Sequence, residues 1–440
     1  MRSFCARARA SAVARAPLLP LTRNEHLLLP PSAAPRTVRE GAFWLRQGES
    51  PYASDSFHQP PLLLYALAPV LGDEARSLML MRALAMLCDV CIAVMLARLS
   101  SSLSGDGSSS GGSDSDAGAA HDRSVLVAAV YLLNPCSILS CGAACTTPLA
   151  SATKVALLLA VSRGRSVEAG IVGAVALYID PYTAMLLPAL LLELRRGGSS
   201  SSSSSNSGGG ATRCAAAALA TAAALLAASA WLLGGEWRAL ARHAFAEPHG
   251  ALLMRDLRPT VGMEWYLLAE AFERHRAYFC FVVAVHPLLY VLPLTVALAQ
   301  RGAQFTAMTL VYVAAIFRGF PTLGDVALPI ALAAVHWHVI AARVRSRVLP
   351  AAVAAALASC MMPVMWHLWR ERTSGNANFF FFQNMIYTMA HGIVLVELLH
   401  GAFATQRVLI VRVVTRAVSV AAAAAAGASG AAAKAEILVA

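Results

Sequence analysis

Few side chains in this sequence stand at spacings that could do chemistry. Cys88 and Cys91 form a C-x-x-C, a spacing that serves metal binding or thiol redox exchange. They lie inside the apolar run Met79–Leu96 with no second ligand pair nearby, and buried free thiols act as small hydrophobes. His336 and His338, two residues apart, point to opposite faces of a helix and cannot grip one ion together. The sequence has no H-E-x-x-H and no Walker or Rossmann glycine loop. Neither a metal nor a cofactor is expected, and no soluble stretch is large enough to carry a catalytic domain.

Polar and aromatic groups gather instead in three segments. In D-L-R-P-T-V-G-M-E-W-Y-L-L-A-E-A-F, residues 256–272, Asp256 can cap the backbone ahead of Pro259, and Gly262 supports a turn into a helix near Met263. Trp265, Tyr266, Ala269 and Phe272 would then share one face, the composition of a helix lying at lipid headgroup depth. In F-R-G-F-P-T-L-G-D-V-A-L, residues 317–328, Pro321 and Gly324 break one helix and Asp325 takes the N-cap position of the next. An acid at membrane depth costs about 2.5–3.5 kcal/mol at a helix centre, so it calls for a partner, and Arg318 is the nearest. A capped re-entrant break and a polar spot facing a lipid head group both fit this segment. The third, residues 363–382, sets Trp366, Trp369 and four phenylalanines around a turn holding Asn376 and Asn378, with His367 among the aromatics.

The elements that position these groups must lie in a bilayer. Of 440 residues, 58% are hydrophobic and 13% charged, about half the charged share of a soluble domain. The net charge of +11 is arginine, since Lys154 and Lys434 are the only lysines. The arginines sit in clusters at the ends of apolar runs, as membrane anchors do, and form no basic face for nucleic acid. Runs at Ser77–Leu99, Val125–Ala143, Thr147–Val161, Val167–Leu194, Cys214–Leu233, Tyr278–Ala299, Phe305–Phe317, Val326–Ala342, Val348–Trp369 and Phe379–Leu399 approach the roughly 20 residues that span a bilayer. The fold class expected is all-α: a polytopic integral membrane helix bundle of about ten to twelve membrane helices, some broken or re-entrant, as at Asp180-Pro181. Residues 1–60 read as a degenerate first membrane helix and luminal loop, 61–400 as the membrane domain, and 401–440 as an Arg/Ala-rich tail, either a surface helix or a last poor span. Ser/Gly-rich stretches at 100–118 and 197–210 read as flexible loops.

Together with S-P-Y-A-S-D-S-F-H-Q-P-P-L (residues 50–62) and Y-L-L-N-P-C-S-I-L-S-C (131–141), these segments carry a resemblance. Collinear from about Arg23 to His400, the chain resembles the class U subunit family of the glycosylphosphatidylinositol (GPI) transamidase. The resemblance implies a multi-pass subunit in the endoplasmic reticulum membrane, non-catalytic itself. Its partners would be the other transamidase subunits, including a cysteine-protease-like catalytic one, and the GPI glycolipid, whose lipid part it would help bind. It also implies an architecture similar to the pathway's mannosyltransferases, which makes a dolichol-phosphate-mannose-dependent mannosyltransferase the rival reading. Such an enzyme needs acids ahead of S-P-Y, but that stretch has no aspartate, and Glu40 and Glu49 are isolated among Arg36, Arg39 and Arg46. A transporter would show an internal repeat, and none is visible. Within the resemblance, Tyr266, Glu270, Arg276, Tyr278 and His286 are expected to line a glycolipid groove, Arg276 pairing with a phosphate, while Asp325 and Asn378 hold the adjacent helix breaks.

Overall fold

The computed structural model describes residues 25–29, 34–54, 56–69, 71, 73–105, 114–197, 209–246, 257–341 and 346–425, the last of these with side chains as far as residue 404. The weak first span expected in residues 1–21, the middle of both Ser/Gly stretches, Asp256 and the last fifteen residues lie outside them. Among the described residues every regular element is helical. The α-helices longer than four residues are, in order, α1 (Pro35–Arg46), α2 (Pro61–Leu67), α3 (Glu74–Gly105), α4 (Asp114–Leu132), α5 (Pro135–Gly142), α6 (Thr147–Ser162), α7 (Ser166–Ile179), α8 (Leu187–Gly197) and α9 (Gly209–Leu232). Then come α10 (Glu264–Glu270), α11 (Glu273–Val285), α12 (Val291–Ala297), α13 (Ala303–Phe317), α14 (Ala327–Ile340), α15 (Val348–Trp366) and α16 (Ala377–Ala425).

Five of these helical stretches are long and apolar enough to cross a membrane, namely Glu74–Leu103, Gly209–Leu232, Glu273–Ala297, Val348–Glu371 and Ala377–Ala404. Four shorter apolar helices accompany them. The outer faces are apolar too: Leu219, Trp231, Phe281, Leu292 and Leu349 are each at least 65% exposed. Water would not tolerate so many together, and lipid would. The all-α polytopic membrane bundle is therefore the observed fold.

The breaks fall where a proline removes a backbone donor. At Asp180-Pro181, α7 ends and a 3-10 turn over Pro181–Leu186 leads into α8, with the Asp180 side chain accepting from the Tyr182 amide. A break absent from the expectation divides Val125–Ala143: Asn134-Pro135 bends α4 against α5 by 49°, and the Asn134 side chain accepts from the Cys136 amide. Likewise Pro287 lies in a 3-10 turn, His286–Tyr290, between α11 and α12.

Two boundaries differ from the sequence reading. The serine-rich stretch after residue 100 is helical to Gly105, with the Ser101 and Ser102 hydroxyls donating back to the Ala97 and Leu99 carbonyls. The tail past residue 400 does not start a separate element: α16 runs on unbroken for 49 residues.

Helix crossings are tight where residues are small. A Cβ on Gly170 in α7 would meet the Cys214 carbonyl and stand 2.8 Å from the Ala217 Cβ in α9. Near the chain start, Tyr52, Phe57, His58 and Gln59 are buried. The Gln59 amide donates to the Thr146 hydroxyl at 2.8 Å, fixing this segment to the mouth of α6.

Candidate functional site

The first segment singled out by sequence does turn into a helix after Gly262, but α10 is only seven residues long. Phe272 therefore does not share a face with Trp265 and Tyr266. It stands beyond the helix end, as the N-cap of α11, and is 82% exposed. The aromatic groups of α10 meet the third segment instead. Trp265 is buried and stacks on Trp369 with ring centroids 6.1 Å apart, and it touches Phe380 and Phe381. Tyr266 stacks on Phe381 at 4.2 Å, and its hydroxyl donates to the Asn378 side-chain oxygen at 2.7 Å.

Two asparagines divide the work at the start of α16. Asn376 is the cap, its side chain accepting from the Asn378 amide at 3.1 Å. Asn378, expected to hold the break, uses its side chain to reach Tyr266. Further along α16, buried Asn384 donates to the Thr260 and Gly262 carbonyls at 2.7 and 3.1 Å. That pair of bonds fastens the loop ahead of α10 to the membrane domain. Glycine is required there, since a Cβ on Gly262 would stand 2.6 Å from the Pro321 ring.

The remaining expected groove residues are spread from the end of α10 to the turn after α11. Glu270, at the end of α10, is exposed and lies beside Tyr266. Arg276 is half-buried, its Nε without a partner among the described residues, and Tyr278 is 65% exposed. His286 sits ten residues on, about 15 Å along the helix, where its Nε2 is 3.1 Å from the Tyr290 hydroxyl and its ring meets Phe317 edge-on at 4.7 Å. The structure thus joins Tyr266 with Glu270 and Asn378 and places His286 in a separate aromatic contact.

Asp325 has the partner expected for it, since Arg318 donates to it at 2.8 Å. Its position differs, however: Thr322 is the N-cap and Asp325 is N3, its carboxylate accepting from both the Thr322 amide and hydroxyl at 2.8 Å, as in a capping box. Arg318 also reaches Asp180 at 3.5 Å, and Lys154 of α6 donates to the other Asp180 oxygen at 2.6 Å. The Arg318 guanidinium lies over the Tyr182 ring at 5.1 Å. Two cations and two anions balance here with about 30 Å³ of space between them, room for water and nothing larger. This is a closed clamp joining two helix breaks. Lys154 went unremarked in the sequence, although a lone lysine in the middle of an apolar run is the signal that a buried acid must face it.

The large open space lies elsewhere. A cavity of about 1300 Å³ runs between α4, α14, α15 and α16, walled almost wholly by apolar side chains. None of the seven residues expected at the site lines it. Its polar features are Asp122, Arg123, Asn134, Ser359, Tyr387 and the pair of Tyr312 and His391, whose hydroxyl and Nδ1 stand 2.9 Å apart.

Comparison with known proteins matches residues 3–387 to a family described as GPI transamidase subunit PIG-U. A protein of Homo sapiens named GPI-anchor transamidase component PIGU is 29% identical over 257 residues, 58% of this chain and 57% of that protein. Its Mus musculus counterpart is 28% identical over 258 residues. The GPI transamidase component GAB1 homolog of Schizosaccharomyces pombe is 28% identical over 144 residues, 33% of this chain and 35% of its own length. The chain therefore aligns with little more than half the length of the animal relatives.

Proposed function

The chain belongs to the GPI transamidase subunit PIG-U family, and on that footing we propose that it works as a multi-pass membrane subunit of a GPI transamidase complex. The family match across residues 3–387 carries this reading. The relatives reported above are named as components of that complex, so the mannosyltransferase reading gains no support from them. In this reading the chain resides in the endoplasmic reticulum membrane, and a separate cysteine-protease-like subunit performs the peptide chemistry.

The glycolipid role belongs to the same proposal. Tyr266 and Glu270 on α10 and Arg276 and Tyr278 on α11 offer hydroxyl, carboxylate and guanidinium groups, with Tyr266 stacked on Phe381. Arginine pairs well with phosphate through charge-assisted bonds, so Arg276 is the group to meet the phosphate of a GPI head. His286, in the turn that follows α11, would border its hydrocarbon part. Asp325 and Asn378 hold the surrounding segments rather than the lipid.

Affinity purification in mild detergent tests the subunit role. Co-purification of a cysteine-protease-like protein and other transamidase components is the expected result, and mannose transfer by the purified chain alone would overturn it. Arg276→Ala and Tyr266→Ala test the groove through surface levels of a GPI-anchored reporter, with complex assembly measured in parallel. Normal anchoring in both variants would remove the groove while leaving the subunit role standing.

A further inference from the structure

The 1300 Å³ cavity between α4, α14, α15 and α16 is larger than the roughly 300–1,000 Å³ of an ordinary small-molecule site, and its shape follows the helices. On α16 the lining residues Tyr387, His391, Val394 and Leu398 recur at helical spacing and make one stripe. That stripe spans eleven residue steps, about 16 Å at 1.5 Å each, close to the roughly 15 Å of hydrocarbon in one leaflet. Space of this length and apolarity among membrane helices is suited to an extended hydrocarbon chain lying parallel to them.

One polar group at its end asks for an acceptor. Tyr387 lines the cavity, is 5% exposed, and its hydroxyl has no hydrogen-bond partner among the described residues. Its neighbours Tyr312 and His391 already pair with each other. A buried hydroxyl without a partner is costly in an apolar setting, and an ester carbonyl would satisfy it.

We propose that this cavity holds the hydrocarbon tails of a bulk membrane phospholipid, with the Tyr387 hydroxyl donating to an ester carbonyl of the bound lipid. The lining argues for a bulk lipid over a glycolipid. The charged lining residues, Asp122 and Arg123, are adjacent on α4 and of opposite sign. A glycan or phosphate buried at the Tyr387 end would find too few partners there. The head group therefore stays outside, and the cavity reads only tails and ester. This site is independent of the glycolipid groove on α10 and α11.

The test uses the full chain co-expressed with its partner subunits and purified in mild detergent, with bound phospholipid extracted and counted by mass spectrometry. The wild-type chain is expected to retain about one phospholipid per copy. Ala334→Phe, which fills the cavity from α14, should lower retention at least threefold. Tyr387→Phe should lower retention after washing by about fivefold, the worth of one neutral hydrogen bond. After exhaustive delipidation, the Tyr387→Phe chain should unfold at the wild-type temperature or above it, because only an unpartnered hydroxyl has been removed. Refilling delipidated protein from phosphatidylcholine vesicles should restore the difference between the two. Lower delipidated stability in Tyr387→Phe with unchanged lipid retention would make the tyrosine merely structural and overturn the proposal. A wild-type chain carrying no lipid would mean that another segment or a partner helix fills the space, with the same consequence. In cells unable to make GPI, retention should persist, and its loss there would name the glycolipid as occupant and overturn the assignment to bulk lipid.

Discussion

Lys154 donates a 2.6 Å hydrogen bond to Asp180, joining the middle of α6 to the break between α7 and α8. The same carboxylate meets Arg318 at 3.5 Å, so removing its charge leaves two buried cations facing one remaining acid, Asp325. Breaking a buried pair on one side costs about 3–5 kcal/mol, because the partner's desolvation is no longer offset. Asp180→Asn is therefore expected to lower the unfolding midpoint in detergent sharply, while Lys154→Met combined with Asp180→Leu should recover much of the loss. A fluorescence-detected thermal melt of the two variants checks this, and equal losses in both would argue against a clamp.

Tyr266 and Asn378, 112 residues apart, are coupled by one exposed hydrogen bond at 2.7 Å. A double-mutant cycle of Tyr266→Phe and Asn378→Ala, read by chemical denaturation, should return a favourable coupling energy. A value near zero would mean that the Tyr266–Phe381 stack alone holds α10 in place.

Much of the membrane architecture was legible because lipid leaves few choices: long apolar runs become helices, and prolines mark their breaks. Arg318 was readable as the partner of Asp325 because seven residues separate them and both border the same break. Asp180 and Lys154 were not readable as members of that group, since their pairing depends on how α6 and α7 pack and no local pattern encodes it. The packing of Trp265 on Trp369 was hidden for the same reason, being a contact between segments about a hundred residues apart. Length misled at α10, where the aromatic spacing ran on past the true helix end at Glu270. The apolar cavity had no sequence signal at all, because its walls read as ordinary spanning helix.

Two glycines on α7 separate close packing from mere composition. A Cβ on Gly170 would press on the Cys214 carbonyl and Ala217, and backbone cannot yield as a side chain can. A Cβ on Gly173 would meet only the Leu157 side chain, at an ordinary 3.5 Å. Gly170→Ala should destabilise by about 1–3 kcal/mol, the usual cost of overpacking. Gly173→Ala should be neutral or stabilise by up to about 1 kcal/mol through helix propensity. Thermal melts of the two variants side by side decide it, and matching effects would place the α7–α9 contact elsewhere.

Glu264 gives the loop region a dependence on pH whose direction follows from its surroundings. The carboxyl is buried against Gly262 and Pro321, outside the apolar spans, and one of its oxygens has no partner among the described residues. Burial pushes its pKa from 4.5 up to about 7, against the pull of the Met263 and Glu264 amides. Between those two values the folded chain holds a proton that the unfolded chain has released. Stability is therefore greatest below about pH 4.5, falls as pH rises towards 7, and levels off above it. At 1.36 kcal/mol per pKa unit the whole loss is about 3 kcal/mol at most. Glu264→Gln keeps the shape of the side chain and removes the titration. Its unfolding midpoint should match wild type near pH 5 and exceed it by several degrees at pH 8. A difference that stays constant from pH 5 to pH 8 would show that Glu264 does not titrate in this range.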